Sequence, residues 1–168
     1  MAEGATRGGG GHANRRETAR ARPRAGARAA PPQVRVTRRL HFSAAHRLAR
    51  ADWSDERNLA TFGPCASPNW HGHNYEIEVT VEGRVDPETG FVMDLKDLRA
   101  LVEERVIADV DHRNLNTDVE WMERVNPTTE NLVVRIWERI ADGLPAGVRL
   151  VRVGLWETPR NFVEYRGE

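Results

Sequence analysis

The chain has one cysteine, Cys65, and one lysine, Lys96, against 24 arginines. A single thiol cannot close an internal disulfide, which removes the disulfide-framed folds and any argument for an oxidising compartment. It also removes a cysteine-rich structural metal site. No apolar stretch nears the roughly 20 residues a membrane helix needs, and none reads as the apolar region of a secretory signal. The expectation is a cytoplasmic protein without membrane contact. The near-absence of lysine has no structural cause; it points to a GC-rich coding sequence and so toward a bacterial source. What is present is ordinary for a globular protein: 168 residues, 39% hydrophobic and 30% charged, enough for one domain with a real core.

The zero net charge conceals two unlike parts. Residues 1–33 hold seven arginines against Glu3 and Glu17, while the other 135 residues hold 18 basic and 23 acidic side chains. The first part, rich in Arg, Gly and Ala, lacks the large apolar side chains a fold must bury and reads as a disordered tail. Arginine clusters attract phosphate, but this one has no interleaved aromatics, so nucleic acid is not the expected partner. A transit peptide would be arginine-rich and acid-poor in the same way, but this tail contains no serine and shows no clear amphipathic period.

From residue 34 the pattern becomes periodic. Val34, Val36, Leu40, Phe42 and Ala44 share one face of a strand, and His46 continues that face. Residues 47–70 read as a long loop. Tyr75, Ile77, Val79 and Val81 alternate with polar residues, and His71 and His73 fall in phase with them. Asp94 caps a helix with Leu95, Leu98, Leu101, Val102 and Val106 as its stripe. A loop over 109–126 leads to a second helix opening at Asn126-Pro127, with Val133, Ile136, Trp137 and Ile140 inward and Gly143 at its end. Strands at about 148–157 and 161–166 close the chain. The order β-β-α-α-β-β predicts an α+β fold, a four-stranded antiparallel sheet with two helices on one face.

Three histidines carry the chemistry. Residues two apart on a strand point the same way, so His71 and His73 can grip one metal ion, with His46 as a third ligand. Three imidazoles leave one position open, as in a catalytic zinc site, and Zn2+ is the ion that suits them. His41 points to the opposite face of its strand and His12 lies in the tail. Gly72 keeps a side chain out where backbone packs closely. Cys65 is either a small buried hydrophobe or, placed in a polar loop just before the ligands, a reactive thiolate. Asp111-His112 is either a turn or a proton carrier with its orienting acid. Glu157 is in phase with Val151, Val153 and Leu155, so it needs a donor; a planar ring with adjacent N–H groups would satisfy both oxygens. Glu130 is by itself no more than an acidic residue in a helix's first turn.

These residues together closely resemble the 6-pyruvoyltetrahydropterin synthase / 6-carboxytetrahydropterin synthase family. The likeness runs from about Arg38 to Glu168 and rests on ordered segments: Phe42-Ser-Ala-Ala-His-Arg-Leu48, Phe62-Gly-Pro-Cys65, Pro68-Asn-Trp-His-Gly-His-Asn-Tyr75, Asp111-His-Arg-Asn-Leu115, Thr128-Thr-Glu-Asn131 and Trp156-Glu-Thr158. The resemblance implies a pterin synthase domain over 34–168 with the tunnelling fold, assembled as a hexamer, a dimer of trimers whose sheets join into barrels. It implies that His46, His71 and His73 bind zinc and that Cys65 is the catalytic base. Asp111 and His112 would complete a proton relay. Glu157 would anchor the pterin, with Thr128, Thr129 and Glu130 lining its pocket. The substrate implied is 7,8-dihydroneopterin triphosphate.

Two products are open to such a lyase. Five residues separate Cys65 from His71, a spacing like that of the pyruvoyl enzymes, which eliminate triphosphate toward tetrahydrobiopterin. The arginine bias favours a bacterium, where the carboxy activity is commoner. The reading taken is therefore 6-carboxy-5,6,7,8-tetrahydropterin, acetaldehyde and triphosphate, a queuosine precursor route, with the 6-pyruvoyl product as the alternative. A zinc-stabilised binding module would have no use for Cys65, Asp111-His112 and an inward Glu157 together. A metal-dependent hydrolase would want a carboxylate base beside the metal, where the spacing offers a cysteine.

Overall fold

The computed structural model describes residues 30–168, so the reading of the tail falls almost wholly outside the described residues. Five strands form one sheet: β1 (Gln33–His46), β2 (His71–Arg84), β3 (Arg113–Asn114), β4 (Val148–Thr158) and β5 (Asn161–Tyr165), in the order β3-β1-β2-β4-β5. All pairings are antiparallel except β3, which runs parallel to β1 at Ala44 and Ala45. The four expected strands are present. β3 is an addition too short to leave a period in the sequence. Gln33, placed in the tail by composition, pairs with Arg84, and Val85 N–H donates to Pro32 C=O at 2.9 Å.

The loop expected over 47–70 is partly helical. Helix α1 (Asp55–Phe62) is capped by the Ser54 hydroxyl and ends at Gly63 with φ 55°, and a 3-10 turn (Gly63–Ala66) follows. Its one buried residue is Asn58, whose amide accepts from Arg50 N–H and donates to Arg50 C=O. A helix held by a polar anchor has no apolar stripe to betray it.

Helix α2 starts at Leu95, capped by Asp94, and runs to Val102; a π-helical turn (Glu103–Ile107) and one further turn (Ala108–Val110) continue it. Its fully buried residues are Leu98, Val102, Val106 and Val110. A strict four-residue spacing drifts about 40° per step around an α-helix, and the wider π turn offsets that drift, keeping the stripe on the sheet. Leu95, expected in the stripe, is 40% exposed at the helix start. Helix α3 (Thr129–Ala141) begins one turn later than Asn126, with the Thr128 hydroxyl as its cap.

Both helices cover one sheet face. Phe42 and Ala44 of β1, Tyr75, Ile77, Val79 and Val81 of β2, and Val153 and Leu155 of β4 pack there with Leu98, Val102, Leu132, Ile136 and Ile140. One strand departs from simple alternation. Thr80 pairs with Arg152 and Val81 with Leu150, so Val151 is the extra residue of a bulge and Leu150 takes the core position. Glu157 keeps its phase with Val153 and Leu155 but not with Val151.

Candidate active site

The core face of β1 and β2 ends in imidazoles. His46 and His71 are cross-strand partners, His73 sits opposite Ala44, and ligand nitrogens of all three lie within 4.8 Å of one another. Gly72 lets the strands approach: a Cβ there would sit 3.0 Å from the Ala44 carbonyl oxygen. His46 is fully buried and its Nδ1 lies 2.8 Å from the Pro127 carbonyl, which makes Nδ1 the donor and leaves Nε2 a lone pair. That Nε2 is 2.9 Å from Nε2 of His71. Nδ1 of His71 and Nε2 of His73 are buried without a partner among the described residues. Burial holds the His46 and His73 side chains below the usual histidine range, and the neighbouring imidazoles push the same way. Neutral, convergent and under-satisfied nitrogens suit a metal ion.

Glu157 lies beside this cluster. Its Oε1 accepts from the Thr129 hydroxyl at 3.0 Å and stands 3.7 Å from Nε2 of both His46 and His73. The carboxylate that spacing alone did not offer beside the three histidines is thus supplied by β4. Thr129, Glu130 and Glu157 line a cavity of about 440 Å³ with Arg160, Asn161, Phe162 and Val163. Thr128 is not among its walls, and its hydroxyl accepts from Asn131 N–H at 3.3 Å as the α3 cap.

Cys65 sits in the 3-10 turn, half-buried and free. The turn is fastened to the chain just past His46: Leu48 N–H donates to Cys65 C=O at 2.8 Å, and Arg47 Nε donates to Ala66 C=O at 2.8 Å. Asp111 and His112, although adjacent, do face each other. His112 adopts a left-handed φ of 58°, which brings its Nδ1 to 3.0 Å from Asp111 Oδ2. The pair is bolted to β1, with Ser43 N–H donating to Asp111 Oδ1 at 2.8 Å and His112 N–H donating to Ser43 C=O. The Ser43 bond, then His112, holds the Asp111 carboxyl below the usual carboxylate range. His112 lines a separate cavity of about 560 Å³ whose wall includes Gly72 and His73. Among the described residues no hydrogen bond or ion pair joins the Asp111–His112 pair to Cys65, Glu157 or the three histidines. His41 is exposed and lies outside the three-histidine cluster.

Two participants carried no sequence signal of function. The Pro127 carbonyl fixes the His46 tautomer, a backbone contact no motif announces. Tyr75 read as an apolar strand residue, and its ring does pack, stacked on Phe42 at 4.9 Å and edge-on to His73 at 5.7 Å and His46 at 6.3 Å. Its hydroxyl is buried and has no partner among the described residues. Burial, then the charges of Glu157 and Cys65, push its ionisation well above the usual tyrosine range.

A family model described as 6-pyruvoyl tetrahydropterin synthase matches residues 35–168. The chain is similar to the 6-pyruvoyl tetrahydrobiopterin synthase of Pongo abelii, 50% identical over 136 residues, which cover 81% of this chain and 93% of that protein. It is similar to the solved 6-pyruvoyl tetrahydropterin synthase of Caenorhabditis elegans, 40% identical with a TM-score of 0.77, covering 83% of this chain and 99% of that one. A putative 6-carboxy-5,6,7,8-tetrahydropterin synthase of Archaeoglobus fulgidus is 38% identical over 96 residues, 57% of this chain and 75% of that protein. With the α+β tunnelling fold, the three-histidine site and a match over the whole folded part, this chain belongs to the 6-pyruvoyl tetrahydropterin synthase family.

Proposed function

We propose that the protein is a zinc-dependent 6-pyruvoyltetrahydropterin synthase, converting 7,8-dihydroneopterin triphosphate to 6-pyruvoyltetrahydropterin and triphosphate. The single observation that carries the choice of product is the 50% identity over 136 residues to a 6-pyruvoyl enzyme, against a shorter and weaker likeness to a carboxy enzyme. This reverses the carboxy reading drawn from arginine usage. Codon bias reports the genome, whereas the five-residue spacing from Cys65 to His71 reports the site, and it pointed to the pyruvoyl enzymes.

His46, His71 and His73 would hold zinc, which when bound supplies positive charge that stabilises oxyanion character on the substrate's side-chain hydroxyls. Glu157 accepts the pterin's ring N–H donors, with Thr129 and Glu130 beside it. Thr128 acts on that pocket only by starting α3. Cys65 removes the proton from the carbon next to the ring, and the Asp111–His112 pair handles a second proton. The hydrogens end on the ring, so no nicotinamide is required. Because no hydrogen bond or ion pair joins the relay pair to the imidazole cluster among the described residues, we place their working contact in the assembled oligomer. Two sheet edges favour an edge-to-edge trimer and a hexamer of two such rings: β1 is covered by β3 only at Ala44 and Ala45, and β5 ends the sheet on the other side. Among the described residues no helix is long and apolar enough to cross a membrane; we assign the enzyme to the cytoplasm.

Purified, zinc-loaded protein given 7,8-dihydroneopterin triphosphate should release triphosphate and a product with the mass of 6-pyruvoyltetrahydropterin. Acetaldehyde in equal amount would restore the carboxy reading.

A further inference from the structure

Glu157 is the unpaired residue of a second bulge in β4: Trp156 pairs with Phe162 and Thr158 with Asn161. A bulge re-aims the side chain it carries. The turn that follows is held by one hydroxyl. Thr158 Oγ1 accepts from Arg160 N–H at 3.3 Å and from Asn161 N–H at 3.1 Å. Glu157 and Arg160 thereby line one cavity, that of about 440 Å³. Arg160 is the only basic residue among its walls, which also include Glu130. It is exposed, and among the described residues its side chain makes no hydrogen bond or ion pair; only its backbone N–H is engaged. The arginines of the charged face differ: Arg35, Arg39, Arg149 and Arg152 each hold a carboxylate.

A 2-amino-4-oxo ring that gives its amino group and its ring N3–H to a carboxylate carries its carbonyl next on the same edge. That oxygen faces the wall beside Glu157, and it needs a donor once water is displaced. The Thr129 hydroxyl is already given to Glu157 Oε1. The wall side chains left with N–H groups to give are Arg160 and Asn161. The guanidinium is the stronger donor because it is charged, and it offsets the two acids of the same cavity.

We propose that Arg160 is a specificity-determining residue of the pterin pocket, its guanidinium donating to the 4-oxo oxygen of the ring that Glu157 holds. The proposal rests on Glu157 being the pterin anchor. The carboxylate reads the donors of the ring edge and the guanidinium reads its acceptor. A ring with an amino group in place of the carbonyl would set donor against donor and be rejected.

Two probes separate the carbonyl from the rest of the ring: pterin itself and its 4-thioxo analogue. The analogue keeps the amino group and N3–H but offers sulfur, a poor acceptor. Neither has side-chain hydroxyls for a metal, so calorimetric titration of the full chain reads the ring pocket alone. The unaltered protein should bind pterin roughly tenfold more tightly than the analogue. Arg160→Met, which keeps the length of the side chain and removes its donors, should weaken pterin about tenfold, leave the analogue unchanged and so erase the preference. Arg160→Lys should restore part of it. In turnover, Arg160→Met should raise KM by a similar factor with kcat little changed. A preference that survives Arg160→Met overturns the proposal; its loss in Asn161→Ala would then pass the role to that amide. Equal weakening of both probes in Arg160→Met also overturns it, since the arginine would act on the pocket's charge and not on the carbonyl. Failure of the unaltered protein to bind either probe, or unchanged binding of both in Glu157→Gln, would instead sink the reading of Glu157 as the anchor, and the proposal with it.

Discussion

The two faces of the sheet are built from the same strands and solve opposite problems. On the helix-covered face, Tyr75, Ile77 and Val79 are fully buried, and the apolar column ends in His71 and His73. On the other face, Glu78 lies between Arg39 and Arg152, and Glu82 is held by Gln33, Arg35 and Arg149. A β-strand sends alternate residues to opposite faces, so both patterns are written into the same fourteen residues of β2. Ion pairs neutralise one another locally and leave nothing to bind. The imidazoles at the end of the core face converge and are short of partners among the described residues, which is what a metal ion and a substrate can use.

The sharpest way to break this comparison is to remove a ligand from the core face. His71→Ala should lose most of the bound zinc and nearly all turnover while the sheet still forms, since His71 lies at the strand end and the apolar column beneath it is untouched. Elemental analysis finding one zinc retained per chain would remove His71 from the ligand set. Cys65→Ala should come next. It leaves the three imidazoles and Glu157 in place, so zinc and substrate affinity should persist while turnover falls by about 10²–10⁴, the usual worth of a general base. Zinc loss in that variant would make the thiol a fourth ligand and the site a structural one.

The period-two faces were legible because the large apolar side chains of β1 and β2 all fall in one phase of each strand. The three imidazoles were legible for the same reason, lying in phase with buried neighbours. What escaped notice shares one feature: it is held by backbone or polar contacts that leave no hydrophobic period. Helix α1 rests on Asn58, the His46 tautomer on the Pro127 carbonyl, and the Asp111–His112 contact on a left-handed φ at His112. The bulge at Val151 misled the alternation of β4 without moving Glu157, because Val153 and Leu155 lie beyond it.

Acid should separate the faces by pH. Burial holds His46 and His73 below their ordinary value of 6.5, so below that pH the unfolded chain binds protons the native one does not. Stability therefore rises with pH through that window and is lost as pH falls toward the folded values. The bonds from Arg152 and then Arg39 hold Glu78 below its ordinary 4.5, so its contribution is present above that pH and lost below it. Urea titrations of chelated protein should show one decline setting in below about pH 6.5 and a second below about pH 4.5. The second should weaken more in high salt than the first, because Arg39, one of the two arginines on Glu78, is exposed and screened. A single decline confined to the lower window would mean that the imidazoles carry no burial penalty.

The smallest effects belong to the charged face. Arg152 donates to Glu78 at 2.9 Å and to Glu164 at 2.8 Å, and its side chain is 23% exposed. Arg39, which reaches Glu76 and Glu78, is 63% exposed. Exposed pairs such as those of Arg39 contribute little because water screens them and long side chains lose freedom in forming them. Arg152 is less exposed, but without it Glu78 keeps Arg39 and Glu164 keeps Arg166. Arg152→Ala should therefore cost about 1 kcal/mol, less at high salt, with turnover kept within about twofold. Arg39→Ala should cost less still. Urea unfolding of the two variants at low and high salt measures both. A large, concentration-dependent loss for Arg39→Ala would show that this face is covered by other copies of the chain. Its ion pairs would then stand in a barrel interior rather than in open solvent, and the contrast between the faces would become one between two buried surfaces.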